Sequence, residues 1–176
     1  MIEVEARSFL EKEKYEELLV FMRKNSVFLG ETNQVTYYFA GPLDLRIQKN
    51  DNFSKIWMKK GVLHDRHREE IEVKFSKDDF EALERILSGM GYEVEIKWFR
   101  LRNTFSWEGV KVTVDYTRGY GYIVELEKMV EPGDEEKAYA ELEKRMKVLG
   151  IEVTPKEIFD NRYEYYRKNW KCLVGD

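Results

Sequence analysis

The sequence predicts an α+β fold built on an eight-stranded antiparallel β-sheet. About eight segments alternate apolar and polar residues with the period of two that marks strands. Four other segments change to the helical period. The strand segments follow one another in hairpin-like runs, which favours antiparallel rather than parallel pairing.

The strands are predicted from the alternation itself. In residues 2–7 one face of the strand carries Ile2, Val4 and Ala6. The opposite face carries only charged side chains, namely Glu3, Glu5 and Arg7. The same pattern predicts further strands near residues 35–39, 43–48, 55–59, 68–75, 94–104, 110–116 and 122–127.

The helices are predicted over residues 11–25, 77–90, 134–149 and from 154 to about 169. Ser76 is the expected N-cap of the second helix, and Gly150 the stop signal of the third. In the last helix, the segment Thr154 to Glu157 has the spacing of a capping box with proline at the first helical position.

The polar strand faces carry charges of both signs at nearly every step, and this admits two architectures. Closing eight strands with the apolar faces outside would give a polar tunnel, about wide enough for side chains or one small ligand. An open sheet with helices on one face and water on the other explains the same alternation.

Composition limits the classes of function. The chain has 176 residues, enough for one domain spanning residues 1–176, and 34 acidic against 30 basic residues give a net charge of −4. This balance argues against a surface that coats nucleic acid. The single cysteine, Cys172, cannot form an internal disulfide, and no apolar run approaches the roughly 20 residues of a membrane span. The sequence therefore predicts a cytoplasmic protein that binds neither membrane nor nucleic acid.

Two pairs of carboxylates stand out because each lies on one strand face. Glu3 and Glu5 form the first pair, and Glu125 and Glu127 form the second. Carboxylate oxygens are ligands that Mg²⁺ or Mn²⁺ prefers, so four of them on two strands are a candidate metal site. A solvated strand face is the alternative explanation of each pair.

A set of cations on the polar faces is the counterpart of these pairs. Guanidinium groups bind phosphate oxygens through two hydrogen bonds, so several around one cavity would hold a polyphosphate. Cross-strand ion pairing with the glutamates is the alternative. The cations are Arg46, Lys59, Arg66, Arg68, Arg100 and Arg102.

Together these residues resemble the CYTH superfamily, the triphosphate tunnel metalloenzymes. The segment Glu3 to Arg7 resembles the E-x-E-x-K signature, Leu45 to Gln48 resembles L-R-x-R, and residues 68–72 resemble R-E-E-x-E. Arg100 and Arg102 resemble the K-x-R pair, and Gly119 to Glu127 the glycine turn before a final E-x-E. The chain departs from the signature in having Arg7 and Arg100 for lysines and Gln48 for an arginine.

The resemblance implies a closed eight-stranded β-barrel, the tunnel, with helices packed outside. It implies Mg²⁺ or Mn²⁺ held by Glu3, Glu5, Glu125 and Glu127, with Glu72 and Asp115 as further metal ligands. It implies a triphosphate held by Arg7, Arg46, Lys59, Arg68, Arg100 and Arg102. The catalytic set that it implies is Glu3, Glu5, Arg7 and Lys59.

The expected activity is hydrolysis of a triphosphate such as tripolyphosphate, ATP or thiamine triphosphate, or cyclisation of ATP as in class IV adenylyl cyclases. A non-catalytic module that binds polyphosphate or nucleotide is the first alternative, supported by Gln48. A salt-bridged structural protein without a central cavity is the second. A small-molecule triphosphate is the expected partner, and a homodimer is compatible with the sequence.

Overall fold

The computed structural model describes residues 2–60 and 69–175 and contains eight strands and four α-helices in these ranges. The strands are β1 (Ile2–Leu10), β2 (Val27–Phe39), β3 (Asp44–Asn50), β4 (Ser54–Lys60), β5 (Glu69–Phe75), β6 (Val94–Trp107), β7 (Val110–Thr117) and β8 (Gly121–Val130). The helices are α1 (Lys12–Asn25), α2 (Phe80–Gly89), α3 (Glu135–Val148) and α4 (Lys156–Val174).

All eight strands belong to one antiparallel sheet with the order β1-β8-β7-β6-β2-β3-β4-β5. Within the described residues, the end strands β1 and β5 share no ladder of backbone hydrogen bonds. The sheet curls into a half-barrel, and the Lys59 ammonium bridges its ends by pairing with Glu3 on β1 and Glu70 on β5. The predicted α+β class and the eight-stranded antiparallel tunnel are confirmed, with side chains joining the two edges.

The apolar strand faces lie outside, where helices cover them. Leu18 and Met22 of α1 and Leu142 and Met146 of α3 join one core with the outer faces of β1, β7 and β8. Phe80 and Leu87 of α2 pack in a second core with β2 and β3. Burying this apolar surface outside the curl leaves the polar faces to line its interior.

Helix α4 covers one end of the half-barrel with aromatic side chains. Phe159, Tyr166 and Trp170 are buried against Ile96 and Trp98 of β6. Among the described helices, none combines the length and apolarity needed to span a bilayer.

Some element boundaries differ from the prediction. Strand β2 begins at Val27 rather than at residue 35, and a 3₁₀ turn over Lys77–Asp79 precedes α2. Ser76 caps this turn rather than α2: its side chain accepts a hydrogen bond from the Asp78 N–H, whereas Asp79, the N-cap of α2, makes no side-chain cap.

The capping box predicted at residues 154–157 is wrong. Pro155 is the N-cap and makes no side-chain cap. Thr154 Oγ1 instead accepts a hydrogen bond from the Phe9 N–H at 3.1 Å and lies 2.9 Å from the Ser8 hydroxyl. The threonine therefore fastens the segment before α4 to strand β1, because a buried β1 amide needs a partner.

Candidate active site

A cavity of about 500 Å³ occupies the interior of the half-barrel. Side chains from all eight strands and from α4 line it. Period-two alternation explains this, because the residues opposite to the buried apolar ones must point inward. The cavity contains the metal and phosphate residues expected from the sequence with three exceptions: Asp115 lies against the lining residues Arg100 and Arg102, and Arg66 and Arg68 fall outside the described residues.

The two carboxylate pairs lie side by side, because β1 and β8 are neighbours. In the register of this pair, Glu5 is opposite Glu127, and Arg7 is opposite Glu125. Burial raises the pKa of Glu5 to about 7, and the Glu125 carboxylate adds to this against the lowering effect of Arg7. Burial and the Glu127 carboxylate likewise raise the pKa of Glu3. The pairing of β1 with β8 therefore brings four carboxylates to one side of the cavity.

The pKa of Glu125 shifts in the opposite direction, downward, because arginines surround this carboxylate. Burial alone would raise its pKa, but Arg102, Arg100 and Arg7 outweigh burial and lower the pKa to about 2. Its carboxylate accepts hydrogen bonds from Arg102 at 2.9 Å and from the Thr113 hydroxyl at 3.3 Å. Glu125 is therefore ionised at any pH at which the protein is expected to work.

Asp115 holds the two arginines of β6. It is 1% exposed, accepts hydrogen bonds from Arg102 Nε at 3.0 Å and Nη2 at 2.6 Å, and lies 3.4 Å from Arg100. Within the described residues, Arg102 Nη1 makes no hydrogen bond, so this nitrogen is available to an anion in the cavity. Buried charge-assisted bonds of this kind fix the direction of a guanidinium.

Lys59 and Arg7 are the cations next to the first carboxylate pair. Lys59 Nζ lies 3.6 Å from Glu3 and 3.1 Å from Glu70. Burial lowers the pKa of Lys59, but the charges of Glu3 and Glu70 together outweigh burial, so the net pKa is raised. Arg7 pairs with Glu5 at 2.9 Å and lies over the Phe159 ring, 4.5 Å from its centroid.

Arg46 is held at the end of the cavity nearest α4. It donates to both oxygens of Asp44, at 2.6 and 2.7 Å, and to the Tyr38 hydroxyl at 3.2 Å. Burial lowers its pKa, but Tyr38 and Asp44 outweigh this, and the net direction is upward. Arg46 therefore remains a cation despite its burial.

Gln48 lies among neutral groups, where the family signature has an arginine. Its amide nitrogen donates to Thr36 Oγ1 at 2.9 Å and to Gln34 Oε1 at 3.3 Å. Gln34 and Thr36 are themselves buried and line the cavity. The β2–β3 wall of the cavity is thus polar but uncharged at this level.

Glu72 faces the cavity next to lysines rather than next to the other glutamates. It accepts a hydrogen bond from Lys55 at 2.6 Å. Burial raises its pKa, but the hydrogen bond and charge of Lys55 together with the charge of Lys74 outweigh burial, and the net pKa is lowered. The structure therefore places Glu72 apart from the carboxylates of β1 and β8.

Several lining residues were not identified as site residues from the sequence. Alternation with Tyr38 indicates Thr36 within the strand predicted at residues 35–39, and it would have indicated Gln34 had that strand been extended by one residue. No local signal identifies the α4 residues, because only the docking of this helix brings them to the cavity. The aromatic members of the lining are Tyr38, Phe53, Trp57, Trp98, Tyr120, Phe159 and Tyr163.

The donor set fits a divalent cation in chemistry and charge. Glu3 and Glu5 supply carboxylate oxygens, and burial, together with the neighbouring carboxylates, raises their pKa values, so that a bound cation would stabilise their ionised forms. In the described residues, however, no three acidic, histidine or cysteine side chains converge closely enough to ligate one ion as they stand. Glu125 and Glu127 are engaged by Arg102 and Lys111, so binding would require these carboxylates to exchange partners.

A curled antiparallel sheet that encloses rows of arginine, lysine and glutamate defines the class of protein as a charged tunnel. The comparison with protein families identifies the family. The CYTH domain model matches residues 1–157, and the chain belongs to this family. No curated protein matches the chain.

Solved structures share the fold. A Pyrococcus horikoshii protein has a TM-score of 0.74 at 25% identity, over 88% of this chain and 93% of that chain. A proposed adenylate cyclase from Vibrio parahaemolyticus has a TM-score of 0.71 at 16% identity, over 91% and 98%. A Hippeastrum protein, described as a proposed adenylyl cyclase with a dominant triphosphatase activity, has a TM-score of 0.64 at 19% identity, over 87% and 90%.

Proposed function

We propose that this protein hydrolyses a triphosphate in its tunnel with the help of Mg²⁺ or Mn²⁺. The observation that carries the proposal is that cations and paired carboxylates converge on one cavity. Arg7, Arg46, Lys59, Arg100 and Arg102 line the same 500 Å³ space as the paired carboxylates of β1 and β8. Such a space accommodates several phosphate charges and the cation that accompanies them.

The cations bind and orient the phosphate chain in this proposal. Arg102 presents its free Nη1 toward the anion, while Asp115 and Glu125 hold its other nitrogens. We assign Asp115 to this positioning role, since its carboxylate is directed at Arg100 and Arg102. Fixed, preorganised cations stabilise the charge that develops on phosphoryl transfer without reorganising during the reaction.

The carboxylates Glu3, Glu5, Glu125 and Glu127 would hold the divalent cation. When bound, the cation would supply Lewis-acid stabilisation of the phosphate oxygens. Lys59 balances Glu3 and Glu70 at this side of the site. Arg7 pairs with Glu5, and its guanidinium contributes positive charge to the site.

Product analysis tests the reaction. The protein is incubated with tripolyphosphate, ATP or thiamine triphosphate in the presence of Mg²⁺ or Mn²⁺. Orthophosphate with the matching diphosphate supports hydrolysis, whereas cyclic AMP with pyrophosphate would identify an adenylyl cyclase. No turnover of any of the three substrates would contradict an enzymatic role.

A non-catalytic triphosphate-binding module is the second candidate, favoured by Gln48. Its position contributes an amide bonded to Gln34 and Thr36 instead of a further cation. Calorimetry that finds tight binding of tripolyphosphate without product would support this alternative.

A further inference from the structure

The Arg7 guanidinium on β1 contacts an aromatic ring that belongs to helix α4. Its central carbon lies 4.5 Å from the centroid of the Phe159 ring, and its Nη1 lies 2.9 Å from Glu5 Oε1. Within the described residues, Arg7 Nε and Nη2 make no hydrogen bond or ion pair, and both Arg7 and Phe159 line the cavity. The ring and the carboxylate therefore restrain the guanidinium, while N–H groups of Arg7 remain available to an anion.

Further ring contacts hold Phe159 in place. It is 2% exposed, and its ring stacks on that of Phe9 with a centroid distance of 4.3 Å and an interplanar angle of 23°. Phe9 follows Arg7 by two residues and so lies on the same face of β1. The guanidinium of Arg162, an exposed residue of α4, lies 4.2 Å from the centroid of the Phe9 ring. These contacts form one series from the surface of α4 to the cavity, in the order Arg162, Phe9, Phe159 and Arg7.

The chain before α4 is fastened to β1 at the same residues. The Thr154 N–H donates a hydrogen bond to the Arg7 carbonyl oxygen at 3.1 Å. Thr154 Oγ1 accepts a hydrogen bond from the Phe9 N–H, also at 3.1 Å. These two bonds set the position at which α4 begins, and so place Phe159, in the first turn of the helix, beside Arg7.

Neither Arg7 nor Phe159 is part of the family pattern. Arg7 stands where the family signature has a lysine, and Phe159 lies beyond residues 1–157, which the family model matches. A planar guanidinium stacks on an aromatic ring, whereas an ammonium is a compact and strongly hydrated charge. The ring on α4 therefore suits an arginine at position 7 better than a lysine. We propose that Phe159 is a positioning residue, which fixes the Arg7 guanidinium for binding a phosphate group of the substrate.

This role of Phe159 rests on the proposed function, because it requires that Arg7 binds a phosphate group. It also extends that function to helix α4, which lies almost wholly beyond the residues that the family model matches. A ring that only fills space in the core would affect the stability of the fold. A positioning ring affects, in addition, the affinity that Arg7 in particular contributes.

A double-mutant cycle tests the coupling between Phe159 and Arg7. The Kd of tripolyphosphate is measured by calorimetry in a chelating buffer, which prevents metal-dependent turnover. The four proteins are the wild type, Phe159→Leu, Arg7→Lys and the double variant. In the wild type, Phe159→Leu should raise Kd about fivefold, because the guanidinium loses its ring. In the Arg7→Lys background the same change should raise Kd less than about twofold, because an ammonium makes less use of the ring.

Two further variants separate positioning from folding. Phe159→Met keeps most of the side-chain volume without a ring, and it should weaken binding as Phe159→Leu does. Trp170→Phe is the matched control, because Trp170 is buried on the same helix, donates to the Glu95 carbonyl oxygen at 2.9 Å and does not line the cavity. This control should lower the melting temperature and leave Kd unchanged.

Other results would contradict this role of Phe159. Equal losses of affinity with and without Arg7→Lys would show that Phe159 acts only through packing, and would overturn the proposal. So would an unchanged Kd in both Phe159→Leu and Phe159→Met. A wild type that does not bind tripolyphosphate would contradict this role and the proposed function together. Product formation by the wild type, with no coupling in the cycle, would remove this role alone.

Discussion

The Lys59 ammonium on β4 lies 3.6 Å from the Glu3 carboxylate on β1, although these strands are far apart in the order of the sheet. The contact exists because the sheet curls until its two ends meet. Lys59 also pairs with Glu70 on β5, so one side chain connects three strands. Lys59 therefore both holds the ends of the sheet together and lines the cavity.

Replacing Lys59 with methionine should destabilise the fold. The change leaves Glu3 and Glu70 without their shared cation, and a charged group left unpaired in a largely buried site costs about 1–3 kcal/mol. The raised pKa of Lys59 means that its contribution is present at neutral pH and is lost only as pH rises beyond the lysine range. Urea unfolding at neutral pH measures the effect. Lys111→Met, at a half-exposed lysine paired with Glu127, is the control, and equal stability losses in both variants would contradict this account.

Stability should fall as pH rises through the range in which Glu5 titrates. Its pKa is 4.5 in the unfolded chain and about 7 in the folded protein, so the folded protein binds the extra proton between these values. Glu5→Gln should therefore be more stable than the wild type above about pH 7, by on the order of 1–3 kcal/mol, and similar to it below pH 4.5. Thermal unfolding in a chelating buffer measures the difference.

The wild type and Glu5→Gln also test whether Glu5 is a metal ligand. Added Mg²⁺ or Mn²⁺ should stabilise the wild type, because a cation compensates the carboxylates, and should stabilise Glu5→Gln less. Equal stabilisation of both proteins would remove Glu5 from the metal ligands.

The second carboxylate pair is tested by neutralising it. Glu125→Gln combined with Glu127→Gln should abolish the metal-dependent turnover of triphosphate while the protein remains folded by circular dichroism. A matched double change at exposed positions, Glu131→Gln with Glu136→Gln, should retain activity. Activity retained in the first variant would argue against a metal site at β8.

Asp115→Asn should weaken triphosphate binding rather than unfold the protein. The amide keeps the size of the side chain but holds Arg102 and Arg100 less firmly, so we expect KM to rise by on the order of tenfold with a smaller change in kcat. Steady-state kinetics with tripolyphosphate measures this. A fall in kcat with unchanged KM, together with reduced metal affinity, would instead favour a metal-binding role.

Gln48→Arg should tighten tripolyphosphate binding. It adds a cation to the neutral wall beside Thr36 and Gln34, and a charge-assisted hydrogen bond of about 1.5 kcal/mol corresponds to roughly tenfold in Kd. Calorimetry with Gln48→Met as the uncharged control measures the gain. Unchanged affinity would show that the phosphates do not reach this wall.

Much of this molecule could be predicted from local patterns. The alternation of residues 2–7 and 122–127 identified both the strands and the polar faces that carry Glu3, Glu5, Glu125 and Glu127, because side chains on a strand alternate between its faces. Helix period and capping signals located α1, α2 and α3 to within a few residues. The start of β2 was missed because Val27 to Asn33 includes Gly30 and a register shift near Phe28, which interrupt a regular alternation.

The sequence by itself determined which side chains share a face, since that depends only on backbone geometry along one strand. Only the tertiary structure decided which faces meet: that Lys59 reaches Glu3, that Asp115 lies beneath Arg102, and that Phe159 of α4 closes over Arg7. The direction in which a sheet curls and the place where a helix docks depend on the burial of apolar surface from many elements at once. The ionisation of Glu5 and Glu125, identical residue types with opposite pKa shifts, follows from that packing and not from their shared E-x-E pattern.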